Sequence, residues 1–290
     1  MNDVISWLLE DDTPEIKYRT MVELLDMPKD DICVKTAYDK LMNSDAVVNI
    51  MMKFELDKKW EDYNAFSALA EFGLTRYDVK IDEYVERIIA NTGFKMLCGE
   101  GFLLRNLVAL GYYDNPMVKE EIPKAFSVQK SDGGFGCMSK SKKINDPKLP
   151  HKSCIRITAS YLLLAAELKK IDVILSQNSQ LVDYFIDRNV VYRHDDNTRF
   201  VVNEMAGTFY PLDPIKIGLQ SSLYALAILG AGNRAGYIKA RKILESKRDD
   251  EGRYLLDKSL SKPYFKIGKI GRPNKWVTLY ALLADKHSKE

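Results

Sequence analysis

Basic residues crowd two stretches of the chain. Lys140, Lys142, Lys143, Lys148 and Lys152 lie in one, and Lys258, Lys262, Lys266, Lys269, Arg272 and Lys275 in the other. Ammonium and guanidinium groups gathered in this way suit an anionic group on a ligand. Other reactive chemistry is sparse. Zinc needs three or four ligands, and His151 with Cys154 supplies two at most. Asp11-Asp12, Asp195-Asp196 and Asp249-Asp250 sit beside turn residues and read as solvated or capping pairs. Three histidines (His151, His194, His287) leave little for a nucleophile–base pair, and no GxSxG elbow, Walker motif or GxGxxG is present. The sequence therefore names no catalytic residue.

The elements that must position these side chains are helices. Apolar residues recur at i, i+3, i+4 and i+7 along most of the 290 residues, and 46% hydrophobic with 29% charged residues fits a globular protein with a large core. Forty-three basic and forty-one acidic residues give +2, so no global field selects nucleic acid or an anionic membrane as a partner. The longest nearly uncharged apolar stretch, Leu223 to Gly232, is about half of the ~20 residues that a membrane helix needs. The start carries an acidic residue too early for a secretion signal, and four cysteines without a CxxC pair read as reduced thiols. The expectation is a cytoplasmic protein with no transmembrane segment and no required cofactor.

Self-similarity organises the helices. Leu223-Tyr224-Ala225-Leu226 recurs as Leu279-Tyr280-Ala281-Leu282. Small-residue-rich helices end at Gly73, Gly111 and Gly230, where glycine takes the left-handed conformation cheaply. A second glycine with an aromatic close behind follows 20 to 22 residues later, at Gly93, Gly133 and Gly252. The unit 154–190 fits more loosely, with Leu168 in place of the glycine. Six outer–inner pairs are predicted: 2–10 with 14–26, 30–53 with 62–73, 78–91 with 101–112, 115–130 with 153–168, 172–188 with 216–230, and 233–248 with 275–286. Helices rich in Ala, Ser and Leu suit an inner ring, and those with one charged face suit an outer ring. Six pairs can close into an all-α (α/α)6 toroid around a central cavity, one domain over 1–290, with 1–60 its least defined part.

Those residues resemble the terpenoid-cyclase and protein-prenyltransferase superfamily, α/α toroids with prenyltransferase and squalene-oxidase repeats. Gln129-Lys130-Ser131-Asp132-Gly133-Gly134-Phe135-Gly136 looks like its repeat signature, and Glu245 to Tyr254 is a weaker copy. The likeness spans about 62 to 286, and the first 60 residues share it by helix count only. The chain is also similar to short single-domain toroids of unassigned role that open on Trp-Leu-Leu-Glu and close on Lys-Trp-Val-Thr-Leu, here Lys275 to Leu279. The resemblance implies a zinc set of Asp, Cys and His in the prenyltransferases. Cys154 matches the cysteine, but Lys152 stands where the aspartate belongs, and the helix start Lys216 to Ser222 has no histidine. The DxDD acid of the cyclases is absent too, so enzymatic status stays open.

In such a toroid both basic stretches would end at the mouth formed by the inner-helix N-termini, above an apolar wall. That suits an amphiphile with an anionic head, such as an isoprenoid diphosphate. Tyr63, Arg105, Asn106, Arg156, Gln220, Trp276 and Tyr280 are the cavity candidates, and Lys142, Lys143, Lys152, Lys269 and Arg272 the candidates for the head. Two alternatives stand beside this reading. One is a catalytically inactive toroid acting as a protein-interaction scaffold, which predicts a plugged cavity. The other is a carbohydrate-active barrel, which predicts two facing carboxylates at the mouth, although the inner helices read as nearly free of Asp and Glu.

Overall fold

The computed structural model describes residues 2–56, 63–94, 99–136, 153–260 and 265–289. Among these residues the secondary structure is helical, with isolated bridges and no strand. The helices are α1 Asn2–Leu8, α2 Pro14–Arg19, α3 Ile32–Met42, α4 Asp45–Leu56, α5 Tyr63–Glu71, α6 Asp82–Thr92, α7 Glu100–Ala109, α8 Pro116–Ser127, α9 Ile155–Lys170, α10 Asn178–Ile186, α11 Leu219–Ile228, α12 Ala235–Glu245 and α13 Lys275–His287. None is long and apolar enough to cross a membrane. The expected order of helices is present with two departures. The predicted helix 30–53 is two helices, because Asn43 ends α3 and the Ser44 hydroxyl accepts the N–H of Val47 to start α4. The predicted helix 14–26 widens after Arg19 into a π-helical turn, Thr20–Leu24.

Helices α7, α9, α11 and α13 are buried over nearly their whole surface, whereas α3, α6, α8 and α12 bury one stripe and expose charges on the other. Each leucine or phenylalanine removed from water contributes roughly 1.5–3 kcal/mol, so the inner helices hold the core and the outer ones shield it. The π turn packs on α13, α13 on α11, α11 on α9, α9 on α7 and α7 on α5. The Arg19 guanidinium then donates to the Glu71 carbonyl at 3.1 Å, linking α2 back to the end of α5.

Four of these helices, α5, α7, α9 and α11, end in the same way. One residue turns left-handed and the next N–H reaches back to a carbonyl of the last turn: Leu74 to Leu69, Tyr112 to Leu107, Val173 to Leu168, Ala231 to Leu226. This is the Schellman bond that satisfies an otherwise orphaned carbonyl. Gly73, Gly111 and Gly230 hold the left-handed position as expected. In the unit that lacked its glycine the turn falls at Asp172, with φ +59°, and Leu168 supplies the accepting carbonyl. Asp26 does the same after the π turn, where Met27 reaches Met21.

The two signature copies are equivalent in structure. The Phe135 N–H donates to the Thr158 hydroxyl at 3.0 Å, and the Phe135 carbonyl accepts the Cys154 N–H at 2.8 Å. In the second copy the Tyr254 N–H donates to Thr278 at 2.9 Å, and its carbonyl accepts the Asn274 N–H at 2.8 Å. Each aromatic turn is thus tied to the first turn of the inner helix that follows. Gly133 is needed there twice over, since its φ is +80° and a Cβ would run into the Gln180 carbonyl oxygen.

Candidate functional site

The C-terminal ends of the inner helices gather around one cavity of about 430 Å³. Tyr18 and Arg19 of α2, Glu23 of the π turn, Arg105 of α7, Glu167 and Lys170 of α9, Tyr224 of α11 and Lys286 of α13 all line it. Ala70 and Gly73 bring the end of α5 to the same wall. A π turn is uncommon and recurs at functional sites; here it carries Val22 and Glu23 into the lining.

The lining is a connected ionic network. Arg19 holds Glu23 with two parallel bonds, Nε to Oε1 at 2.5 Å and Nη2 to Oε2 at 2.7 Å. Arg105 Nη2 lies 3.1 Å from Glu167 Oε1 and 2.6 Å from Glu71 Oε1, the latter an ion pair not aligned as a hydrogen bond. The Lys170 ammonium donates to the other Glu167 oxygen at 3.0 Å and lies over the Tyr224 ring. The Glu71 side chain is fully buried, and its Oε2 accepts from the hydroxyls of Tyr210 and Tyr280. At the rim Lys286 pairs with Asp26 and donates to the Glu23 carbonyl at 2.7 Å.

Charge decides the protonation of this mouth. Burial is the largest single influence on Glu23 and would raise its pKa, but Arg19 and then Lys170 outweigh it and the carboxyl is held below its ordinary range. Glu167 follows the same pattern, with Lys170 and Arg105 overcoming burial. Both are therefore ionised at neutral pH. Neither is a general acid, and the protonated carboxylic acid that a glycosidase needs is not supplied by them.

The predicted residues divide. Arg105 lines the cavity, and Asn106 lies behind it, accepting from Arg105 Nη1 at 3.1 Å. Tyr280 joins the network through Glu71, away from the cavity wall. Trp276 instead stacks on Tyr210 at 4.5 Å and contacts Phe265 and Phe72, all buried. Trp276, expected in a cavity wall, is thus part of a packed aromatic group. The void beside it, between Ser67, Glu71, Pro211 and Phe265, measures about 10 Å³. Gln220 clamps the Phe209 backbone, donating to its carbonyl at 2.7 Å. Arg156 faces outward and pairs with Glu204 at 3.5 Å. Lys269 and Arg272 are exposed, whereas Lys275 is buried against Glu10 and Asp12. Cys154 is the residue before α9, equivalent to the capping Asn274 of α13, which gives it a place in the repeat. Tyr63 opens α5, and its side chain, with Lys142, Lys143, Lys152 and His151, lies outside the described residues. Among the described residues no three metal-ligating side chains come together.

One correction follows. The inner helices are not nearly free of carboxylates, since Glu71 ends α5 and Glu167 lies in α9. The charged cavity opens at their C-terminal ends, while the basic stretch Lys140 to Lys152 lies outside the described residues. Glu71 and Glu167 were hidden because each sits one turn before the end of an apolar run, where a charged residue reads as the start of solvent. No family model matches the chain, and no curated protein matches it.

Proposed function

We propose that residues 1–290 form one (α/α)6 toroid, similar in fold to the terpenoid-cyclase and protein-prenyltransferase superfamily, and that it binds a small polar ligand at the C-terminal mouth of its inner ring. The observation that carries this reading is convergence. All six inner elements send side chains to one cavity of about 430 Å³, within the usual range of ligand pockets. Buried arginines inside it are costly unless they are paired or used. The ligand is compact in this reading, because the packed rings of Phe72, Tyr210, Phe265 and Trp276 would close the axis of the proposed toroid to an isoprenoid tail. That same plug favours the scaffold reading over a long-tailed amphiphile. A cytoplasmic location and a function without a cofactor go with the proposal.

Ala109 lines the cavity, so Ala109→Trp fills it while leaving the ion pairs in place. Wild-type protein is expected to gain thermal stability with at least one member of a panel of small anionic, cationic and neutral polar compounds, and Ala109→Trp to lose that gain. If both proteins respond alike to the whole panel, the mouth is not a ligand site and the protein-interaction scaffold replaces it.

A further inference from the structure

Resting on that ligand-binding reading, we infer that the mouth is a seat for a dianion of the phosphate class, either inorganic phosphate or the phosphate end of a small monoester. The lining holds five cations (Arg19, Lys29, Arg105, Lys170, Lys286) and three carboxylates (Glu23, Asp26, Glu167). Positive charge stays in excess even with Glu71 counted behind Arg105.

Apart from Glu71 Oε1, which lies 2.6 Å from Arg105 Nη2 behind the lining, the unused hydrogen-bonding capacity is of donor type. Arg105 is 4% exposed, and its Nε–H has no acceptor. The Lys170 ammonium, with three protons to donate, bonds one carboxylate oxygen, Glu167 Oε2. Lys29 is exposed at the rim. The acceptors are committed: both Glu23 oxygens face Arg19, and the Glu167 oxygens face Arg105 and Lys170. A cationic ligand would have to displace an existing partner, whereas an oxyanion meets the remaining protons of Lys170 and the exposed Lys29.

Helix C-termini ordinarily repel anions. Here Schellman bonds take a last-turn carbonyl in each of α5, α7, α9 and α11, Arg19 takes the Glu71 carbonyl and Lys286 takes that of Glu23. The repulsion is reduced at the points closest to the seat. A phosphate monoester, with three strong acceptor oxygens and a second pKa near 6, uses this donor set more fully than a carboxylate does, and inorganic phosphate does so in the same doubly charged form.

The test is titration of the full chain, followed by thermal shift and calorimetry at constant ionic strength, with inorganic phosphate, glycerol phosphate, sulfate and acetate. Phosphate or its monoester should bind at pH 7.5, and the stronger of the two identifies the source. Its affinity should fall at least roughly tenfold by pH 5 as the dianion is protonated, and further for inorganic phosphate than for the monoester. Sulfate, a dianion throughout, reports what the protein's own groups contribute over that range. Lys170→Met should weaken phosphate at least about tenfold, and the exposed Lys29→Glu about two- to fivefold. Lys29→Glu keeps the test open if Lys170→Met does not fold. Phosphate binding untouched by Lys29→Glu, or no weaker at pH 5 once corrected by sulfate, overturns the assignment. If a neutral or cationic compound binds and Ala109→Trp abolishes it while phosphate does nothing, the class is wrong and the site stands. If Ala109→Trp alters no response to any probe, the site falls as well.

Discussion

Where Trp276, Tyr210 and Phe265 meet, buried rings pack face and edge with little polar commitment, and the Trp276 indole N–H has no acceptor. In the ionic network of the cavity, Arg19, Glu23, Arg105, Glu167 and Lys170 each depend on a particular partner. Glu71 is the boundary, one oxygen towards Arg105 and the other accepting from two tyrosines. Apolar packing tolerates substitution in proportion to lost volume, whereas a buried charge fails as soon as its partner is removed. A site able to discriminate between ligands is therefore expected at the second region.

The largest expected effect tests that contrast at its boundary. Glu71→Ala should destabilise the fold by about 3–5 kcal/mol, because it leaves the buried Arg105 short of a counter-charge. Restoring much of that loss with Glu71→Met combined with Arg105→Met would show that partnership, and not the charge itself, is what stability requires. Urea unfolding measures both, and a double variant as unstable as the single one would break the comparison.

Next in size are the paired repeat turns. Thr158→Val and Thr278→Val each strand a buried backbone N–H, of Phe135 and Tyr254 respectively, at about 1–3 kcal/mol. Similar losses from the two would support a true internal repeat, and a loss at only one would mean that the hydrogen bonds coincide without shared energetics. Trp276→Phe should cost less, about 1–2 kcal/mol for the smaller ring, since no hydrogen bond of the indole is lost.

Much of the fold was legible in residue spacing. Helix order, the glycine-ended inner helices and the signature turn could be read because periodicity and left-handed turns leave local marks. The break at Asn43-Ser44 and the turn at Asp172 were not, since asparagine, serine and aspartate serve turns and helix surfaces alike. The site was legible in part. Arg105 stood out as a guanidinium inside an apolar helix, but its partners Glu71 and Glu167 are 34 and 62 residues away in the chain, and only packing brings them together. In the second basic stretch, sequence shows a lysine and not its counter-ion: Lys275 is held by Glu10 and Asp12.

The mildest prediction concerns pH and separates the two ends by sign. Glu23 and Glu167, at the C-terminal mouth, have lowered values in the fold. Below 4.5 the unfolded chain binds protons that these two still refuse, so their stabilisation drains away as pH falls through their folded-state values. Glu15 and Glu100 lie at the other ends of α2 and α7. Burial raises both, with Asp12 adding to the first and Glu121 to the second. For these the folded state binds the proton more tightly, so stability declines as pH rises from 4.5 through their raised values. Melting temperature should therefore fall on both sides of the mildly acid range. Glu100→Gln should flatten the limb on the neutral side and leave the acid limb alone, while Glu167→Gln should do the reverse, on top of its own loss of an ion pair. If either variant moves both limbs equally, the two ends titrate as one network, and the division between a discriminating mouth and a passive aromatic region is drawn in the wrong place.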